Sequence, residues 1–118
     1  MSFNDYVIKS HPTGSRYICN PPVLNTDKDT VFLVNSVDYE IALIEEGFIT
    51  KDSEIDYDTR GLFQSWRKGE DNYIVTMDQK FYEDYVLSTE GARALNLTNK
   101  DDRIKLFKAI FEARLYIG

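Results

Sequence analysis

Two acidic residues stand where their side chains could bind a metal ion. Asp27 and Asp29 come directly before an apolar, β-branched segment at residues 30–34. Because side chains along a strand alternate between its two faces, both carboxylates are expected on one face at the mouth of that strand. Carboxylate oxygens suit hard cations, and Mg²⁺ takes its remaining ligands from water and substrate phosphates. The pair therefore predicts a Mg²⁺ site made by Asp27 and Asp29.

A Gly-Ser pair lies upstream of the two acids. Gly14 and Ser15 are separated from Asp27 by eleven residues that include two prolines and several turn-forming residues. A glycine lets the backbone approach a phosphate closely, and the neighbouring amide and hydroxyl can donate hydrogen bonds to it. The two elements together predict a site for a metal-bound phosphate ester.

The spacing of these elements resembles the signature of the polymerase-beta-like nucleotidyltransferase superfamily. That signature is a Gly-Ser pair, roughly ten residues, then Asp-x-Asp at the start of a strand. Arg16 after the pair and Thr26 before Asp27 also resemble the residues at these positions in the small, stand-alone members of the superfamily. The segment at residues 65–76 and the helix-rich tail resemble short proteins of this kind encoded by bacteriophages.

The resemblance implies a role for each of these side chains. Asp27 and Asp29 would bind Mg²⁺ ions that bridge the oxygens of a nucleoside triphosphate. Gly14 and Ser15 would hold the β- and γ-phosphates, with Arg16 as a further cation. The nucleotidyl group would pass to a hydroxyl of RNA, protein or a small molecule.

A third carboxylate of the family pattern is replaced in this sequence. The matching position, just before the apolar run at residues 73–75, is Asn72. An amide cannot act as a base and is a weaker ligand for a hard cation. Asp71 or Glu70 could substitute only across a bulge, because a shift of one residue along a strand reverses the face of the side chain. The sequence supports nucleotide binding better than turnover.

Basic residues at the next turn leave two interpretations open. Arg67 and Lys68 could contact a triphosphate or a phosphorylated acceptor, or they could belong to a solvated turn. Lys68 is retained as a candidate nucleotide-binding residue.

Composition limits the classes of protein to which the chain can belong. Its 118 residues fit one domain, with no apolar run long enough to cross a bilayer and no apolar core of a signal peptide. A single cysteine excludes an internal disulfide and agrees with a reducing compartment. A cytoplasmic location is expected, in the host cytoplasm if a phage encodes the protein.

The charge balance bears on partners. A net charge of −6 argues against nonspecific binding to DNA, which depends on basic side chains. Acids concentrate over residues 38–58, either as a solvated surface or as a docking surface for a basic partner. A short chain without an acceptor-binding domain also raises the possibility of a homo-oligomer or a host protein partner.

The hydrophobic pattern predicts an α/β (α+β) domain over residues 1–118, a small mixed sheet with helices packed on one side. Residues 2–12 fit a helix or a strand, residues 16–19 fit an extended piece, and residues 50–60 fit a loop. A hairpin is expected at residues 61–76, followed by a helix capped by Asp78 and another capped by Thr98 or Asn99. A helix after residue 36 is expected to bury its periodic apolar positions, Val37, Ile41, Leu43, Ile44 and Phe48.

Two functions follow. The first is a Mg²⁺-dependent nucleotidyltransferase. The alternative is a catalytically degenerate protein of the same fold that acts by binding, for example as a phage-encoded inhibitor or adaptor of a host protein.

Overall fold

The computed structural model describes residues 1–21, 27–51 and 62–117 of the chain. Its first half contains, in order, a 3₁₀ helix at Phe3–Tyr6, β1 at Val7–Thr13, α1 at Ser15–Ile18, β2 at Lys28–Val34, α2 at Tyr39–Glu45 and β3 at Ile49–Lys51. The second half contains β4 at Phe63–Lys68, β5 at Asp71–Thr76, α3 at Gln79–Ala94 and α4 at Lys100–Ile117.

The five strands form one mixed sheet in the order β1-β2-β5-β4-β3. β2 and β5 run parallel at its centre, and the other neighbouring strands pair antiparallel. The turn at Gly69, where φ is +59°, joins β4 to β5 and confirms the predicted hairpin. The central parallel pair brings together residues that are far apart in sequence, and this pairing builds the site described below.

The two long helices pack on one face of the sheet, as predicted. Phe81, Tyr85 and Phe107 from α3 and α4 share a buried cluster with Val31 and Ile74 of the central strands. Burial of these apolar side chains holds the helices to the sheet.

Alternate residues of the same strands face the other way. Phe32 and Val75 join a second cluster with Leu43 of α2 and with Phe3 and Trp66. The short helix α2 and the 3₁₀ helix therefore cover this second face. Trp66 is 3% exposed and belongs to this core.

The caps predicted for α3 and α4 are present. The Asp78 carboxylate accepts a hydrogen bond from the Phe81 backbone N–H over 2.7 Å. At the next helix the acceptor is Asn99, whose Oδ1 lies 2.8 Å from the Asp101 nitrogen. Each cap satisfies N–H groups that the first turn of a helix leaves without an internal partner.

Three local expectations are corrected. Residues 15–18 form the one-turn helix α1 instead of an extended piece, and residues 49–51 form β3 instead of loop, while 52–60 lie outside the described residues. Val37, Ile41 and Ile44 are exposed rather than buried. Leu43 and Phe48 are buried as predicted, and α2 adds Tyr39 and Ala42 to the buried positions.

Among the described residues, none of the helices combines the length and apolar character that a membrane span requires.

Candidate functional site

A single row of side chains crosses four strands of the sheet. Thr13 of β1 is the register partner of Asp29 on β2, and Asp29 is the partner of Asn72 on β5. Asn72 is in turn the partner of Arg67 on β4. Paired residues in a sheet point to the same face, which here is the face that packs α3 and α4. The row places a hydroxyl, a carboxylate, an amide and a guanidinium side by side.

The centre of the row is a hydrogen bond between Asn72 and Asp29. Asn72 Nδ2 donates to Asp29 Oδ1 over 3.0 Å. The structure thus brings together the two residues that the sequence analysis joined only through a family resemblance, although they are 43 positions apart. The other atom of the amide, Asn72 Oδ1, is buried with no hydrogen-bond partner among the described residues.

Asp27 lies one residue before β2 and has a basic partner. Its Oδ2 accepts a hydrogen bond from Nη2 of Arg67. The two side chains are 40% and 34% exposed, so the pair remains accessible to solvent. A metal ion binding to Asp27 would compete with this guanidinium or share the carboxylate with it.

Gly14 lies directly against Asp29. Its φ is +76°, a region that favours glycine, and a Cβ built there would lie 2.1 Å from Asp29 Oδ2. No side chain larger than hydrogen fits at residue 14 without moving that carboxylate. The Gly-Ser element and the Asp-x-Asp element are therefore in contact.

A cavity of about 340 Å³ opens beside these residues. Thr13, Gly14, Ser15, Asp27 and Asp29 line its polar side. Its other walls are formed by α1, α3 and α4 through Ile18, Tyr85, Lys100, Arg103, Ile104 and Phe107. The volume lies in the range of small-molecule sites.

Two cations of this cavity were not predicted from the sequence. Lys100 and Arg103 both lie in the first turn of α4 and line the cavity together with the two aspartates. Arg103 Nη1 also donates to the carbonyl oxygens of Leu97 and Thr98, over 3.1 and 2.9 Å, which ties it to the turn before α4. No local motif marks either residue, because only the packing of α4 against α3 brings them here.

Two predicted nucleotide-binding cations, Arg16 and Lys68, contact groups outside the cavity lining. Arg16 Nη2 lies 3.0 Å from Glu70 Oε2, at the β4–β5 turn. Lys68 is on the opposite face of the sheet from Asp29, where its Nζ donates to the Glu46 carbonyl oxygen over 2.7 Å. The structure does not bring Lys68 to the cavity.

Helix α1 is anchored beside the cavity by a polar cluster. The Tyr17 hydroxyl donates to Glu90 of α3, and His11 Nε2 lies 3.1 Å from the same carboxylate. The hydrogen bond to Glu90 and partial burial raise the pKa of Tyr17, and Arg93, 4.3 Å from its ring centroid, opposes that effect. These contacts hold the backbone that follows Gly14.

The oxygen donors fit a magnesium ion that is also held by a substrate. Asp27 and Asp29 supply two carboxylates to one cavity, and Mg²⁺ in phosphate-transfer sites takes one or two carboxylates plus water and phosphate oxygens. Among the described residues, no cluster of three or more His, Cys, Asp or Glu side chains is placed to hold a metal. Asp27 and Asp29 are the residues whose oxygens would hold the ion.

Comparison with protein-family models, with curated proteins and with solved structures finds no match to this chain.

Proposed function

We propose that the protein binds a nucleoside triphosphate with Mg²⁺ in the cavity beside Asp29 and transfers its nucleoside monophosphate to an acceptor hydroxyl. The observation that carries the proposal is the contact of Gly14 with Asp29, next to Asp27 and Asn72. Two elements that are separate in sequence form one polar wall. That wall has carboxylates for a cation and the Gly-Ser backbone beside them.

The charges around the cavity suit a triphosphate better than a neutral ligand. Two acids, Asp27 and Asp29, and two cations, Lys100 and Arg103, line the same cavity. The bound Mg²⁺ would neutralise charge on the phosphate oxygens as the nucleotidyl group moves. Lys100 would attract a phosphate bound in the cavity, since an ammonium attracts any phosphate oxygen within reach.

The apolar wall completes the proposed site. Ile18, Ile104 and Phe107 line the cavity together with the Tyr85 ring. Such a surface can cover a nucleobase or ribose and exclude water from the phosphate groups, which strengthens their electrostatic contacts.

A second function is favoured by Asn72. An amide at this position donates a hydrogen bond to Asp29 and cannot remove a proton from an acceptor hydroxyl. The pairing of Asp27 with Arg67 also occupies part of the metal-binding oxygen set. The second candidate is therefore a protein that keeps the nucleotide site without turnover and acts on a host protein by binding.

Calorimetric titration of each of ATP, GTP, CTP and UTP with Mg²⁺ tests the site. We expect binding to the wild type that requires the metal and disappears in the double variant Asp27→Ala with Asp29→Ala. A matched control is Asp38→Ala with Glu40→Ala, which removes the same charge from the opposite face of the sheet. Equal binding by all three proteins would refute the site.

Pyrophosphate release then separates the two functions. Metal-dependent release from the bound triphosphate, lost in the Asp27→Ala, Asp29→Ala variant, supports transfer. Tight binding without release, even with RNA, protein and small-molecule hydroxyls supplied, supports the binding protein.

A further inference from the structure

The outer side of α2 and of the turn before it carries an exposed apolar stripe. Val37, Ile41 and Ile44 are 58%, 61% and 61% exposed. At about 3.6 residues per turn, Ile41 and Ile44 lie roughly 60° apart on one side of the helix, and Val37 lies in the turn before it. We call these three residues the α2 stripe. The core contacts of the helix come from the opposite side, so folding of the described chain leaves the stripe uncovered.

Acidic residues border the α2 stripe on both sides. By the same helical geometry, Glu40 lies along one edge and Asp38 and Glu45 lie along the other. No Lys or Arg occurs between residues 29 and 50 of the sequence. In the described chain Lys68 reaches the C-terminal end of α2, where it donates to a backbone carbonyl. The long edges of the stripe are therefore negative.

The stripe continues into a groove. Val37 also lines a cavity of about 420 Å³ between the start of α2 and the ends of β4 and β5. Leu62 and Met77 line the same groove and are 41% and 54% exposed. Asp78 lies at its edge with Glu40. The groove offers a pocket for one large apolar side chain next to the flatter stripe.

We propose that the α2 stripe and this groove form a docking surface for an amphipathic helix of another protein, one whose apolar stripe is bordered by Lys and Arg. An exposed helical stripe fits a helix laid along it, with anchors at intervals of three and four residues. The acidic borders select basic flanks, because complementary charges steer association and like charges disfavour it.

The same borders disfavour two other occupants. A second copy docking symmetrically through the stripe would bring Glu40, Asp38 and Glu45 against their own counterparts, since a two-fold contact pairs a surface with itself. A membrane with anionic lipids would repel these carboxylates.

This surface is separate from the proposed nucleotide site. Helix α2 packs on the face of the sheet that holds Phe32 and Val75, whereas the cavity beside Asp29 opens on the face that holds Ile74. Docking on the α2 stripe leaves that cavity open, so either proposal can fail without the other.

A fluorescently labelled amphipathic peptide of about 18 residues, with a leucine stripe bordered by lysines, tests the surface by fluorescence anisotropy. We expect binding to the wild type that weakens about tenfold or more in Ile41→Ser with Ile44→Ser. The control variant is Leu87→Ser with Leu95→Ser, which changes a leucine of α3 and the leucine directly after it, 51% and 64% exposed. It is expected to bind as the wild type does.

Charge is tested separately. A peptide with glutamates in place of the lysines is expected not to bind, and Glu40→Gln with Glu45→Gln is expected to weaken the lysine peptide. Circular dichroism confirms that each variant is folded.

Three outcomes overturn the proposal: no binding of the lysine peptide, equal binding of both peptides, or equal loss in both leucine and isoleucine variants. A fourth outcome that overturns the proposal comes from analytical sedimentation. A wild-type dimer that Ile41→Ser with Ile44→Ser converts to a monomer assigns the stripe to a second copy instead.

Discussion

Asn72 on β5 lies beside Asp29 on β2, and its side-chain amide donates a hydrogen bond of 3.0 Å to that carboxylate. A neutral donor stabilises a carboxylate at short range, whereas a second carboxylate in the same place would repel it. The pair is therefore compatible with a folded protein in the absence of metal.

The substitution Asn72→Asp replaces the neutral hydrogen-bond donor beside Asp29 by a second carboxylate. We expect the melting temperature without metal to fall by about 5 °C, because a hydrogen bond worth roughly 1 kcal/mol is lost and a like charge is added. Millimolar Mg²⁺ should recover more of the melting temperature in the variant than it adds to the wild type. Differential scanning fluorimetry measures both effects.

The matched control for this charge is Asn35→Asp, just beyond the other end of β2. It should show no added response to Mg²⁺. Identical responses of the two variants would mean that Asn72 does not lie at a metal-binding position.

Gly14→Ala tests the contact between the two predicted elements. The new Cβ would meet Asp29 Oδ2 at 2.1 Å, and the residue would keep a φ of +76°. We expect the free energy of unfolding to fall by about 3 kcal/mol, from the strained backbone and the displaced carboxylate together. Urea denaturation provides the measurement.

Gly69→Ala isolates the backbone part of that cost. Gly69 has a φ of +59° with no atom within 4 Å of a built Cβ, so a loss of about 1 kcal/mol is expected. Adding Asp29→Ala to Gly14→Ala should recover part of the larger loss. Equal losses at both glycines would rule out an energetic contact between Gly14 and Asp29.

Lys100→Gln tests the cation on α4. If the cavity holds a triphosphate, its affinity for Mg²⁺-ATP should fall about tenfold, the effect of losing one charged contact. Lys108→Gln removes the same charge from an exposed position of α4 that does not line the cavity, and should change affinity less than about twofold. Calorimetry compares the three proteins, and equal affinities would remove Lys100 from the site.

Buried tyrosines predict how stability depends on alkaline pH. Burial raises the pKa of Tyr39, Tyr73 and Tyr82 above the ordinary value of 10.0. At high pH the folded state keeps tyrosine protons that the unfolded state releases. The contribution of these hydroxyls to the free energy of unfolding is therefore complete below pH 10 and is lost as pH rises through the folded-state pKa values.

Urea denaturation from about pH 8 to about pH 11 measures this loss. The fall in unfolding free energy above pH 10 should be smaller in Tyr39→Phe with Tyr82→Phe. An unchanged slope in that variant would exclude these two side chains as its source.

Local chemistry was sufficient to predict several elements from sequence. The alternation around Asp27 and Asp29 placed both beside one cavity, and the caps at Asp78 and Asn99 came from side chains that bond the backbone a few residues away. These features depend on neighbours in sequence, so the sequence contains the information needed to locate them.

Long-range packing decided the rest. The apolar periodicity of α2 fitted two overlapping sets of positions that share Leu43. The core took the set that adds Tyr39 and Ala42, which left Ile41 and Ile44 exposed. Lys100 and Arg103 escaped prediction because they reach the cavity only through the packing of α4. Predicting the face of the sheet on which Lys68 lies also required knowledge of the register of β4 against β5.

The parallel pairing of β2 with β5 also determines when the site can form. Arg67 and Asn72 meet across a tight hairpin, a local contact of the kind that forms within microseconds. Asp29 can join them only after the chain between β2 and β5 has crossed over, and such distant pairings form more slowly. Any ligand that needs Asp29 and Asn72 together therefore recognises a chain whose central strands have already paired, and its binding would serve as a probe of completed folding.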